Sequence, residues 1–293
     1  MRQLLSLTVL ALAASMAQAQ IRVGDIQPCQ GPLGPAREPV YDRYDDVFVR
    51  GKIIGAKTNT DGIVSVDVQA DILGPDGNKL EHTSGTVNHL LPLNDQVPLN
   101  FHFAVKPTWA PGKYTVKLTM KDNESGSETS FTQDFTVLPP RLAILPPQFF
   151  FDKEGQNQAP NGGFLAQNIY YKWWVVGLDI SKGSVDCDVV TEIRDRTGKN
   201  VLREIMKLRN KESDSEKLEK LTYMTNTGNL PLASPGDFVL HMVAMDNMAG
   251  KVVTCDFPLH IEAPGMGPRF EGGSREVSLS PPPSLIQVSS PPK

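Results

Sequence analysis

The sequence predicts an all-β protein built from two antiparallel β-sandwiches in tandem, and three observations carry that prediction. The first is an internal repeat. Residues 111–137 align without gaps on 235–261 at an offset of 235 − 111 = 124, and residues 48–80 align on 169–201 at an offset of 169 − 48 = 121. The second is strict alternation of apolar and polar residues, as in Val64, Val66, Val68, Ala70 and Ile72 against Ser65, Asp67, Gln69 and Asp71. That period of two marks a strand with one face buried. The third is the punctuation of such strands by Gly, Pro, Asn and Asp turns, with no apolar helical periodicity sustained over ten residues or more. Units of roughly 120 residues are too long for a solenoid repeat and describe a duplicated domain.

Taken in order, residues 1–19 read as a signal peptide: Arg2 gives the positive start, Leu4 to Met16 the apolar stretch and Ala17-Gln18-Ala19 the cleavage site. The expected product is exported, periplasmic or secreted. No other apolar run approaches the roughly 20 residues of a spanning helix. A first sandwich is expected over 20–139. It opens with Ile21-Arg22-Val23, continues through Val47, Val49 and Ile53, and turns at Asn59-Thr60-Asp61-Gly62 into the alternating strand just described. Gly74-Pro75-Asp76-Gly77 closes that strand with a hairpin. Leu99, Phe101, Phe103 and Val105 form a further strand, as do Tyr114, Val116, Leu118 and Met120, and then Phe131, Phe135 and Val137.

A second sandwich over 141–263 repeats the order, with a net three-residue insertion between Val201 and Pro235. The charged stretch 207–220 lacks an apolar face and reads as a surface loop. Residues 264–293, rich in Pro, Ser and Gly, are expected to be disordered.

Pro111-Gly112-Lys113-Tyr114 resembles the P-G-x-Y element of fibronectin type III and other immunoglobulin-like domains. The resemblance implies a tyrosine corner, in which the Tyr114 hydroxyl bonds back to upstream backbone. The second copy has Phe238 at the same place and so keeps only the packing. Domains of this kind serve as spacers, adhesins and enzyme accessories, so the resemblance implies architecture and no particular activity.

Composition excludes some functions. A net charge of −4 offers no basic surface for nucleic acid. The histidines show no H-E-x-x-H spacing and the cysteines no C-x-x-C, so no zinc site or cofactor is expected. His102, His241 and His260 fall at outward strand positions. Asp42, Asp45 and Asp46, with Asp122 and Glu124, are candidate calcium ligands by type, but their spacing is that of turn residues. No G-x-S-x-G occurs, and nothing selects a carboxylate pair for hydrolysis.

The feature peculiar to one copy is Tyr170-Tyr171-Lys172-Trp173-Trp174. At the offset of 121, Trp174 takes the place of inward Ile53, whereas Tyr171 and Trp173 replace outward Arg50 and Lys52. Tyr171 and Trp173 are therefore expected to be exposed, near outward Asp186 and Asp188, as a site for a sugar or a basic peptide, or as an interdomain contact.

Cys187 and Cys255 replace inward Val66 and Phe131, which leaves open a disulfide between them or two packed thiols; Cys29 would be free in either case. The function that fits best is a non-enzymatic structural or binding module with an unidentified protein or carbohydrate partner. The alternatives are a carbohydrate binder using the aromatic pair, and a hydrolase with an unrecognised carboxylate site.

Overall fold

The computed structural model describes residues 21–90, 96–165, 168–211, 223–230, 234–263 and 286–287, and among them every regular element is a strand. Four sheets pair into two sandwiches. In the first, β1 (Arg22–Cys29), β3 (Asp46–Ile54), β6 (Gln96–Ala104) and the short β18 (Ile286–Gln287) lie in that order in one sheet. The facing sheet runs β2 (Val40–Tyr41), β8 (Glu128–Val137), β7 (Gly112–Asp122), β4 (Ile63–Leu73) and β5 (Lys79–Leu90).

The second sandwich repeats this topology except for short edge strands, β10 beside β9 in place of β18 beside β6. One sheet holds β10 (Gln158–Ala159), β9 (Ala143–Phe150), β12 (Ile169–Val176) and β15 (Tyr223–Leu230). The other holds β11 (Gly162–Phe164), β17 (Lys251–Glu262), β16 (Gly236–Asp246), β13 (Ser184–Asp195) and β14 (Asn200–Lys211). Each sandwich closes on its own apolar core, one drawn from residues between Ile21 and Val137 and the other from residues between Leu142 and Ile261.

The alternation behind the prediction is the burial pattern. Val64, Val66, Val68, Ala70 and Ile72 are buried while their neighbours are not, and the same holds for Leu99, Phe101 and Phe103 and for Tyr114, Val116, Leu118 and Met120. The Tyr114 hydroxyl donates to the Ala110 carbonyl at 2.6 Å, forming the tyrosine corner, with Trp109 stacked on its ring.

A buried aspartate ties each sandwich together at an equivalent point. Asp122 accepts the Lys57 N–H at 3.0 Å, and Asp246 accepts the Asp179 N–H at 2.8 Å. Each also accepts from its own hairpin, Asp122 from the Glu124 N–H and Asp246 from the N–H groups of Met248 and Ala249. These carboxylates satisfy turn backbone that would otherwise be buried without partners. The bond made by Asp122, a calcium candidate on residue type, is thus internal to the fold.

The sandwiches meet across a small junction. Ala143, Leu145 and Val176 pack with Tyr44 and Trp174. Arg141 grips Asp42 through two bonds of 2.7 and 2.9 Å, and the Gln148 side chain donates to Asp46 at 2.5 Å. Asp46 also meets His102, and Asp45 is held by both terminal nitrogens of Arg37. Burial pushes the Asp45 carboxyl up to about 6 against the pull of Arg37. The three aspartates therefore face separate donors.

Four expectations are corrected or limited here. Trp174 is not a core residue of its sandwich but part of the junction, while Tyr171 and Trp173 are buried at 1 % and 2 % exposure. The reason is a shift of register between the copies. Val49 and Ile53 share cross-strand places with Tyr171 and Val175, an offset of 171 − 49 = 122, whereas β4 and β13 keep 185 − 64 = 121. One residue fewer in the second copy's turn separates the two offsets, and a one-residue slip turns every side chain to the other face.

Cys187 and Cys255 are free thiols. They sit on β13 and β17 with β16 between them, Cys187 opposite Asp246 and Cys255 opposite Met242. Two strand spacings of about 4.8 Å already exceed the roughly 7 Å that a disulfide spans between Cα atoms. The charged stretch expected as a loop from 207 is strand as far as Lys211, and its remainder lies outside the described residues. The signal peptide and, but for Ile286–Gln287, the tail also lie outside them.

Candidate functional site

The outer face of the second sandwich is formed by β14, β13, β16 and β17, and its residues are fixed by cross-strand register. One row runs Ile205, Val190, Val243, Thr254. The next runs Lys207, Asp188, Met245, Val252, and on the other side lies Arg203, Glu192, His241, Asp256. Directly opposed residues share a face, so each row is a line of neighbouring side chains. Ile205 is 57 % and Val252 63 % exposed, and Val190, Val243 and Met245 between them are half-buried.

The first sandwich supplies an internal comparison. At the places of Ile205, Val190, Val243 and Thr254 it carries Ser84, Gln69, Thr119 and Ser130, and at those of Met245 and Val252 it carries Lys121 and Glu128. The same sheet is thus polar in one copy and apolar across its middle in the other. Isolated exposed apolar residues are ordinary, but a contiguous group rimmed by charge is the mark of an interface.

Charge borders the apolar rows. Arg209 meets Asp186 at 3.0 Å and Asp188 at 2.6 Å, and the Asn247 side chain donates to Asp186 at 2.7 Å. The Arg209 bond holds the Asp188 carboxyl below the ordinary carboxylate range. Glu192 lies between Arg194 and Arg203, and hydrogen bonding from Arg194 lowers it too. His241 bonds to Asp256 at 2.6 Å.

The residues expected to form one site are divided between two. Asp186 and Asp188 belong to this outer face. Tyr171 and Trp173 lie on β12, on the inner side of the opposite sheet, where with Thr191, Glu204, Ile205 and Met206 they line an open recess of about 270 Å³ at the edge of the sandwich. Burial, with Glu204 adding to it, pushes the Tyr171 phenol up to about 12. The exposed aromatic platform expected from the sequence is therefore absent from this pair. Val190, Val243, Met245 and Val252 were each visible in the alignment as replacements of Gln69, Thr119, Lys121 and Glu128; attention to outward positions of every strand, not only to aromatics, would have found them.

A second concavity lies at the junction, a cleft of about 480 Å³ lined by Asp42, Arg43, Pro107, Arg141, Leu178 and Lys251 among others. Its carboxylate, Asp42, is engaged by Arg141, and Arg43 donates to the Trp109 carbonyl. No nucleophile stands beside a base there among the described residues, as covalent catalysis would require.

No protein-family model and no curated protein matches the chain. Among solved structures it is similar to the C-terminal domain of the AgI/II polypeptide BspA of Streptococcus agalactiae, at 12 % identity and a TM-score of 0.29, covering 82 % of this chain and 100 % of that one. It is also similar to red sea bream transglutaminase, at 8 % identity and a TM-score of 0.28, covering 84 % of this chain and only 31 % of that enzyme's length. Likenesses this distant carry no functional argument. The fold rests on the sheets themselves.

Proposed function

We propose that the chain is an exported, non-enzymatic binding module, in which two linked immunoglobulin-like sandwiches present one specialised surface, the outer face of the second. One observation supports this above all: the replacement of Gln69, Ser84, Thr119, Lys121 and Glu128 in the first copy by Val190, Ile205, Val243, Met245 and Val252 in the second. The two copies share topology and buried pattern, so folding does not call for apolar residues on that side. Keeping them exposed has a cost in solubility that a bound partner removes.

Photo-crosslinking tests the reading. A benzophenone side chain placed at position 205 of the exported protein is expected to give a discrete crosslinked product. The same probe at position 84, the matching place on the first sandwich, is expected to give none. Equal yields at the two positions, or no product at 205, would overturn the proposal.

A further inference from the structure

We infer that the partner of this face is a second copy of the chain, packed sheet to sheet about a twofold axis that runs parallel to the strands between β13 and β16; the inference rests on the interface reading above. The argument comes from the order of residues across the rows. The row Arg203, Glu192, His241, Asp256 alternates basic and acidic side chains from one edge to the other. A twofold axis along the strands reverses the order of a row. It sets Arg203 opposite the other copy's Asp256 and Glu192 opposite the other copy's His241, so that the row is complementary to its own reversal. Arg203 and Asp256 are the exposed ends, with side chains 59 % and 64 % accessible.

The central row obeys the same operation. Ile205 falls on Thr254 and Val190 on Val243, which places apolar groups and a methyl together at the centre. In the next row the stem of Lys207 lies across Val252, where a long cation covers apolar surface with its head in water, and Asp188, held by Arg209, falls beside Met245. An isologous interface demands this self-complementarity, in which residue i meets j and j meets i. A surface shaped for an unrelated partner has no need of it.

The matching face of the first sandwich lacks the apolar centre, its central row being Ser84, Gln69, Thr119 and Ser130, and its row His82, Asp71, Lys117 ends on Thr132 where Asp256 stands. Four strands about 4.8 Å apart and four rows about 6.8 Å apart give a face of roughly 520 Å² a side, the size of a small, reversible interface.

Sedimentation velocity on the full mature chain, over a concentration series reaching about 100 µM, tests the inference in a range where interfaces of this size associate. A reversible dimer is expected. Arg203→Asp and Asp256→Arg should each weaken it by about tenfold or more, and mixing the two single variants should restore association, because every 203–256 contact is then between opposite charges. Val190→Gln with Ile205→Ser, which installs the first copy's residues, should give a folded monomer by circular dichroism. A chain that stays monomeric throughout, or a dimer indifferent to all of these changes, would overturn the inference. A monomer whose position-205 probe still crosslinks to a different protein would overturn the self-association alone and leave the interface reading standing.

Discussion

Tyr171 fills the volume that a side chain at position 228 would need. A Cβ on Gly228 would lie far inside van der Waals contact of the Tyr171 ring and hydroxyl. The first sandwich solves the same place the other way round, with Val49 opposite Phe101. Large and small have changed strands, and the volume between the sheets is kept. Gly228→Ala should therefore destabilise the second sandwich by about 1 to 3 kcal/mol through overpacking. Tyr171→Val and Gly228→Phe should each destabilise on their own, and the double variant should lose less than their sum. Urea unfolding of the two single variants and the double checks the compensation, and additive losses would show that the pair does not share one space.

The tyrosine corner is testable against its own repeat. Tyr114→Phe removes the bond to the Ala110 carbonyl and should lower the stability of the first sandwich by about 1 to 2 kcal/mol. The second sandwich folds with Phe238 at that place, so the variant should remain native by circular dichroism. A loss no greater than about 0.3 kcal/mol would mean that ring packing alone accounts for the corner.

Asp45 gives a pH dependence of fixed sign. Burial raises its folded pKa to about 6 from an ordinary 3.8, so the folded state holds more protons than the unfolded chain between those values. Its contribution to stability therefore falls as pH rises through that window, by about 3 kcal/mol in total. The carboxylates held low by partners, such as Asp188 and Glu192, act in the opposite direction and lose their contribution as pH falls. Comparison with Asp45→Asn separates the two. Wild type should gain on the variant from pH 7 to pH 4, measured by urea denaturation, and a difference that does not change with pH would contradict the assignment.

Thiol counting should find three free cysteines on the denatured, unreduced chain. In the native protein Cys255, which is only partly buried, should react before Cys29 and Cys187, which are fully buried. Burial raises all three thiols, Cys187 to about 12, so each should be sluggish at neutral pH. A count of one would bring the disulfide back.

What the sequence made legible was whatever depends on parity within a strand. Val64 to Ile72 and Tyr114 to Met120 alternate so regularly that their inward faces could be read directly. What it hid was parity between copies across a turn. Gly55 and Gly177 both take a left-handed conformation, at an offset of 177 − 55 = 122, whereas Gly62 and Gly183 do so at 183 − 62 = 121. Those two glycine pairs were the signal for the shifted register, and they outrank the apolar match of Ile53 with Trp174, because only glycine adopts that backbone without strain. The candidate face escaped for another reason: its members are scattered over β13, β14, β16 and β17 and become neighbours only through pairing.

Two of the parallel pairings have a mechanical consequence. β2 runs parallel to β8 and β11 runs parallel to β17, so in each sandwich a strand near the entry of the chain lies bonded beside the strand at its exit. Tension applied between the ends of a sandwich pulls these partners in opposite directions along their length, and their bonds are loaded together instead of one after another. A tethered chain would resist stretching through that short shear contact, with the buried Asp122 and Asp246 anchoring the turns behind it.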